Sequence, residues 1–356
     1  MKHHTRLWII LLTLLTIIVP LSSCQHLGFD RKSINDETTI IGQLSHGAVN
    51  PTLDETGLQA VCEYAGGQFE LDYSVTATQS AKNVGFLLFL NGIPQPYQVN
   101  GAGDVNYMNM FQLQQDNQEF QFSFVFSPVT GAEGDTLPLK IYSIYYPQYQ
   151  PDMISSYSYG IYHSILESTV NIHFGTAANP KAITNDARIK TALSSVRTVN
   201  RRITDDFIAA NFGEGIESSG FPLENIVYDV ISYNGETDYE NLDVTHQESV
   251  HITYQMMGSP GATYRISLFA NHEPLTDGKD IVWDVTTSKG TLVALETDVD
   301  VSVLDDFTTF YVIACPIDDG YVSSSTDLLG KKTNSILLYR VTNEKVHNQE
   351  TDSYLG

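Results

Sequence analysis

The chain has 356 residues, 42 acidic against 19 basic side chains and a formal net charge of −23. Such a surface repels nucleic acid and anionic lipid headgroups, which excludes a nucleic-acid partner. Apolar residues at 42% and aromatics at 11% exclude a wholly disordered stalk, and the wealth of Tyr, Phe, Thr, Val and Ile favours strands.

Lys2 and Arg6 precede an apolar run, Leu7–Pro20, interrupted only by Thr13 and Thr16. A basic start and a 7–15-residue apolar core form the pattern of an export signal; a spanning helix needs about 20 apolar residues. The run ends in Leu21-Ser22-Ser23-Cys24. An aliphatic residue, two small residues and then cysteine resemble the lipobox of bacterial lipoproteins. The resemblance covers residues 1–24 only. It implies that 1–23 is a signal peptide and that Cys24 carries a thioether-linked diacylglycerol. The mature chain would then sit on the bacterial membrane by its lipid, facing outside the cytoplasm. The leader contains no Asp or Glu, so its removal leaves the mature chain more acidic still. Residues 24–54, rich in Asp, Asn, Ser, Thr and Gly, read as a flexible tether.

Period-two alternation, the mark of half-buried strands, follows. Phe69, Leu71, Tyr73 and Val75 alternate with polar residues, as do Val250, Ile252, Tyr254 and Met256, offset by 181. Leu88-Phe89-Leu90-Asn91 with Pro94 is matched at an offset of 180 by Leu268-Phe269-Ala270-Asn271 with Pro274. Phe122, Phe124, Phe126 and Pro128 are set against Phe310, Val312, Ala314 and Pro316, offset 188, and Leu137–Ile144 against Ser335–Val341. The common order predicts a mainly β chain: two related antiparallel β-sandwich domains of immunoglobulin-like architecture, 55–175 and 220–345. Residues 176–219 would be a basic, partly helical linker, with Ile189, Leu193, Val196, Asn200, Ile203 and Phe207 at helical spacing between Thr184 and Asn211. Residues 346–356 form a polar tail. Cys62 and Cys315 fall in different sandwiches and read as separate thiols.

Seven of the twenty tyrosines lie between Tyr142 and Tyr162. Tyr with Ser supplies rigid amphipathic contact area in binding loops, which makes Tyr146, Tyr149, Tyr157 and Tyr159 the candidate ligand-binding residues; the same rings would serve equally to cover a sheet edge. Two acidic groups, Asp298, Asp300, Asp305 and Asp306, then Asp318, Asp319 and Asp327, lack EF-hand spacing and read as solvated loops. His246 and His251 are an odd number of residues apart, which in a strand puts them on opposite faces. No metal, cofactor or catalytic residue is expected, since no nucleophile elbow, zinc signature or phosphate loop occurs. The sequence thus points to a surface-tethered, non-enzymatic binding or scaffold protein with a protein, peptide or glycan partner. The alternatives are a carboxylate-dependent hydrolase or its accessory module, and a peptide-sequestering immunity or sensor lipoprotein. The alternation of strands and helices that solute-receptor lipoproteins need is missing.

Overall fold

Alternating apolar side chains build four sheets. The N-terminal half contributes β1 (Leu44–Ala48), β2 (Thr52–Leu53), β3 (Ala60–Tyr64), β4 (Phe69–Ala77), β5 (Asn83–Leu90), β6 (Ile93–Gln95), β7 (Tyr97–Val99), β8 (Ala102–Asn106), β9 (Met108–Gln112), β10 (Phe120–Phe126), β11 (Thr136–Tyr145) and β12 (Ile165–Phe174). The C-terminal half contributes β13 (Lys190–Thr191), β14 (Arg197–Arg202), the helix α1 (Asp205–Phe212), β15 (Tyr228–Tyr233), β16 (Asn241–Asp243), β17 (Ser249–Met257), β18 (Thr263–Ala270), β19 (Glu273–Thr276), β20 (Trp283–Thr286), β21 (Thr291–Asp300), β22 (Phe307–Pro316), β23 (Lys331–Lys332) and β24 (Ile336–Tyr339). This computed structural model describes residues 42–151, 159–179, 189–212, 226–237, 240–317 and 329–341, all within one compact unit, Ile40–Gly356. The leader, Cys24, Tyr157 and the acidic group Asp318, Asp319 and Asp327 lie outside the described residues. No described helix is long and apolar enough to cross a membrane.

In the N-terminal half one sheet runs β1-β4-β10-β7-β8 and the other β2-β3-β12-β11-β5-β6, with β9 also on β5. Tyr73, Phe122 and Phe124 of the first meet Phe86, Ile141 and Ile172 of the second in one core. In the C-terminal half the sheets are β14-β21-β17-β15 and β13-β19-β18-β22-β24-β16, with β20 on β18 and β23 on β22. Val250, Ile252 and Leu295 there meet Leu268, Val312 and Leu338.

The pairing pattern recurs. β1 and β10 flank β4 as β15 and β21 flank β17; β5 pairs β11 as β18 pairs β22. β3 runs parallel to β12 as β16 runs parallel to β24. This corrects two of the four strand matches read from sequence. By pairing, β10 corresponds to β21 and β11 to β22, so Phe122–Phe126 and Phe310–Ala314 are not counterparts. The first alternates with polar residues and the second is apolar throughout, so only large apolar residues at every second position matched, and that spacing alone carries no topology. For the same reason Leu137–Ile144 corresponds to β22 and not to Ser335–Val341.

The linker and tether also change. The helix spans only Asp205–Phe212. Arg197–Arg202 instead forms β14, an edge strand paired with β21, because Glu296 of β21 receives Arg197 at 2.7 Å and also Arg201. At the other end, Leu44–Ala48, expected in the tether, is strand β1 against β4. His46 secures it: its Nδ1 lies 2.6 Å from the Tyr73 hydroxyl and its Nε2 3.0 Å from Ser143 Oγ. A polar composition did not reveal a strand whose buried group is an imidazole.

A third apolar cluster joins the halves. Leu87 and Phe89 of β5 and Tyr142 and Ile144 of β11 pack on Phe269 of β18 and Tyr311, Ile313 and Cys315 of β22. The outer face of one sandwich thus lies on the outer face of the other. This is why Val84–Leu90 and Thr308–Pro316 are buried residue after residue: both faces of these strands are covered, so alternation vanishes.

Candidate functional site: a polar cleft at the joint of the two halves

Beside that apolar joint, the tyrosine-rich segment folds back on itself. After β11 the chain turns at Tyr146, which has φ of 45° and whose N–H donates to the Asn83 carbonyl at 2.9 Å. It returns through Tyr159–His163, where His163, at φ of 62°, donates its N–H to the Tyr145 carbonyl at 2.8 Å. The rings pack on one another. Tyr162 stacks on Tyr145 with centroids 5.5 Å apart and on Tyr149 at 3.9 Å; Tyr146 lies 5.5 Å from Tyr162. Tyr146 and Tyr149 are half-buried. Tyr159, expected at the surface, is 2% exposed, and its hydroxyl bonds Thr309 Oγ1 across the joint at 2.6 Å. The correction has a simple cause: the return leg runs beneath Tyr149 and against β22, so Tyr159 faces the other half instead of solvent.

Two histidines lock the halves reciprocally. His272, in the turn after β18, reaches the Pro147 carbonyl at 2.8 Å through Nε2 and the Tyr311 hydroxyl at 2.9 Å through Nδ1. A carbonyl only accepts, so Nε2 carries the proton and Nδ1 accepts from tyrosine. His163, from the N-terminal half, contacts Ser335 Oγ at 3.2 Å. The two rings lie 5.3 Å apart. Burial lowers His272 to about 4. It lowers His163 further, to about 2, with His272 and Lys332 nearby adding to the effect. Both imidazoles are held neutral.

Lys332 completes the cluster. Its ammonium donates to the Thr333 carbonyl at 3.0 Å and to Ser335 Oγ at 2.9 Å, and lies 4.5 Å from the Tyr311 ring centroid, a cation–π distance. No carboxylate among the described residues pairs with it, and desolvation lowers its pKa to about 7. Since Ser335 Oγ accepts from Lys332, its hydroxyl proton is free to go to His163, and the three side chains form one polar chain.

Over this chain opens a cleft of about 270 Å³. Tyr162, His163 and Ser164 line it from the N-terminal half, Glu240, Lys332 and Asn334 from the other. A second hollow of about 250 Å³, with Asp229 in its wall, shares Lys332, Thr333 and Asn334. The cleft uses one residue type that the sequence reading singled out, tyrosine, but its charged and imidazole groups come from His163, Glu240 and Lys332, with His272 behind His163. None carries a sequence signature, because they meet only when the sandwiches dock. A further polar crossing lies deeper: the buried Glu167 carboxylate receives Lys140 at 2.5 Å and the Gly330 N–H at 2.7 Å.

The other candidates resolve into surface pairings. Asp298 meets His251 at 2.7 Å, Asp300 caps Ser302, Asp305 pairs with Lys190 and Asp306 with Arg340. Among the described residues no group of three His, Cys, Asp or Glu is placed to hold a metal ion. Cys62 and Cys315 are both free thiols, the first half-buried and the second buried against the Tyr142 hydroxyl at 3.2 Å.

No protein-family model matches the chain, and no curated protein matches it. Among solved structures, the CupB6 tip adhesin of Pseudomonas aeruginosa is 8% identical, covering 84% of this chain and 98% of its own, with a TM-score of 0.19. The CupB2 chaperone of the same organism is 11% identical, covering 79% and 98%, with a TM-score of 0.18. A chicken T-cell receptor is 9% identical, covering 84% and 100%, with a TM-score of 0.18. At such scores the likenesses carry no argument, and the architecture rests on the sheets themselves.

Proposed function

We propose that this chain is a lipid-anchored extracytoplasmic binding protein made of two related immunoglobulin-like β-sandwiches. Cys24 holds it to the bacterial membrane, and a small ligand, a peptide end or a glycan unit seats in the cleft at the joint. One observation carries this reading: the tyrosine-rich segment and residues 331–335 converge from different halves on an open, polar, charged cleft. Recognition sites favour the boundaries between domains, where each side supplies groups. The repeated strand pairing supports descent of both sandwiches from one unit. Tyr159 and Tyr162 line the cleft from this segment, and Tyr149 packs on both of them.

Two experiments test the reading. Cys24→Ala should leave unprocessed precursor and abolish fatty-acid labelling; equal labelling would refute the anchor. The mature chain should bind a defined ligand on glycan or peptide arrays, and Ser164→Glu, at the exposed rim of the cleft, should weaken that binding at least tenfold without changing the melting temperature. Binding that ignores Ser164→Glu would place the site elsewhere.

A further inference from the structure

The ammonium of Lys332 is anomalous in a protein with 42 acidic side chains. Its partners are a carbonyl, a hydroxyl and a ring face, all neutral, whereas buried charges are ordinarily paired. Among the described residues, Glu240 and Asp229 stand in the walls of the two hollows and make no ion pair with it, and the Glu273 charge bears on the Tyr311 phenol. The imidazoles that face it are neutral and bonded, and so are the phenols of Tyr159 and Tyr311. Lys331, on the same short strand, acts instead on the Asp229 carboxyl of the second hollow. Among the described residues no carboxylate therefore answers the positive charge at the cleft floor, and Ser164, Thr333, Asn334 and Ser335 stand on its walls. Its volume falls just below the roughly 300–1,000 Å³ of pockets that take drug-sized molecules.

We propose that the cleft binds a small hydroxylated monocarboxylate, of the size and chemistry of a sugar acid, with Lys332 neutralising the carboxylate and the hydroxyl and amide side chains receiving the hydroxyl groups. The proposal rests on the binding reading above and names its ligand class. The aromatic faces are not the recognition element, because the rings of Tyr162 and Tyr149 are already spent on each other. Glu240 on the wall disfavours a dianion, so a phosphate fits less well than a carboxylate. Bringing a carboxylate to the ammonium raises the lysine's affinity for its proton, so binding takes up a proton and weakens as pH rises past about 7.

Isothermal titration of the mature chain with D-glucuronate, D-glucose, acetate and inorganic phosphate tests it. Glucuronate should bind at least tenfold more tightly than each of the other three at pH 6, and tenfold more weakly at pH 8 than at pH 6. Lys332→Met, which replaces the ammonium with an apolar group of similar shape, should remove the preference for glucuronate over glucose. Should that variant fold poorly, Ser164→Glu supplies the same reading from the exposed rim, by repelling the acid but not glucose. Equal affinity of glucuronate and glucose, or glucuronate binding unchanged in these variants, overturns the proposal. An array ligand that is lost on Ser164→Glu yet retained on Lys332→Met would leave the binding function standing and refute the acid assignment.

Discussion

At the joint, single atoms set the tolerance. An ideal Cβ on Gly330 would lie 1.9 Å from the Tyr142 hydroxyl oxygen, and the Gly330 N–H is held by Glu167. Gly330→Ala must therefore push Tyr142 off Cys315 or pull the backbone off Glu167. Overpacking of this kind costs about 1–3 kcal/mol, and urea unfolding of the variant should show a loss of that size. Tyr159→Phe tests a gentler change: it deletes the bond to Thr309, and about 1 kcal/mol is expected. The histidines give the pH dependence. His272 has its folded pKa lowered from 6.5 to about 4, so between these values the unfolded chain binds more protons than the folded one. Stability is complete above pH 6.5 and falls as pH drops toward 4, by about 3 kcal/mol for this group; His163 and His46, lowered in the same sense by burial, add to the loss. Chemical denaturation at pH 7 and pH 4.5 should record the fall, and His272→Gln should make it shallower, with the share of His163 and His46 remaining. A profile that is level from pH 7 to 4.5 would refute the neutral buried imidazoles.

At the scale of the element, legibility followed the number of buried faces. β4 and β17 alternate because one face is core and the other is wet, and both were plain in the sequence. β5, β11, β18 and β22 are largely buried on both faces, so they announced a buried strand without announcing what covered the second face. The cover proved to be the other half of the molecule. The offsets of β5 against β18 held, since the motif Leu-Phe-x-Asn with its following Pro includes a turn as well as a strand: Asn91 and Asn271 both take positive φ, a requirement that few residues meet. The match of β10 to β22 failed, having only apolar residues at every second position behind it. The helix read between Thr184 and Asn211 failed over β14, because Val and Thr at helical spacing are also good strand residues and the anchoring partner, Glu296, lies about a hundred positions away. The cleft was legible only as tyrosine density. Lys332 and the two histidines acquire their roles from docking, which leaves no local trace. A substitution tests whether the second face matters as argued: Leu87→Asp, on the joint face of β5, buries a carboxylate in the apolar cluster and should destabilise by several kcal/mol. Val303→Asp, at a site 42% exposed, should change little.

At the scale of the molecule the question is whether two sandwiches behave as two. Sequence alone suggested separable units joined by a basic, partly helical linker. The joint argues otherwise. Leu87, Phe89, Met108, Tyr142, Ile144, Phe269, Tyr311, Ile313 and Cys315 are each at most 8% exposed in one cluster, and fully burying a large apolar side chain is worth about 1.5–3 kcal/mol. Polar crossings add specificity: Tyr159 to Thr309, His272 to Pro147, Glu167 to Gly330 and Arg265 to the Asn91 carbonyl at 2.8 Å. Such a joint exceeds the loose, wet contacts usual between domains. Unfolding either half would strip the apolar cover from the other, so the mature chain should melt in one transition by calorimetry, with calorimetric and van't Hoff enthalpies in agreement. Fragments 42–179 and 189–341, made separately, should melt well below the whole or associate through the exposed faces of β5 and β22. The substitution Phe269→Asp tests the joint without cutting the chain: it should split the single transition into two. Two resolved transitions already present in the unaltered chain would mean that the halves are independent, and that the cleft at their joint opens and closes with them.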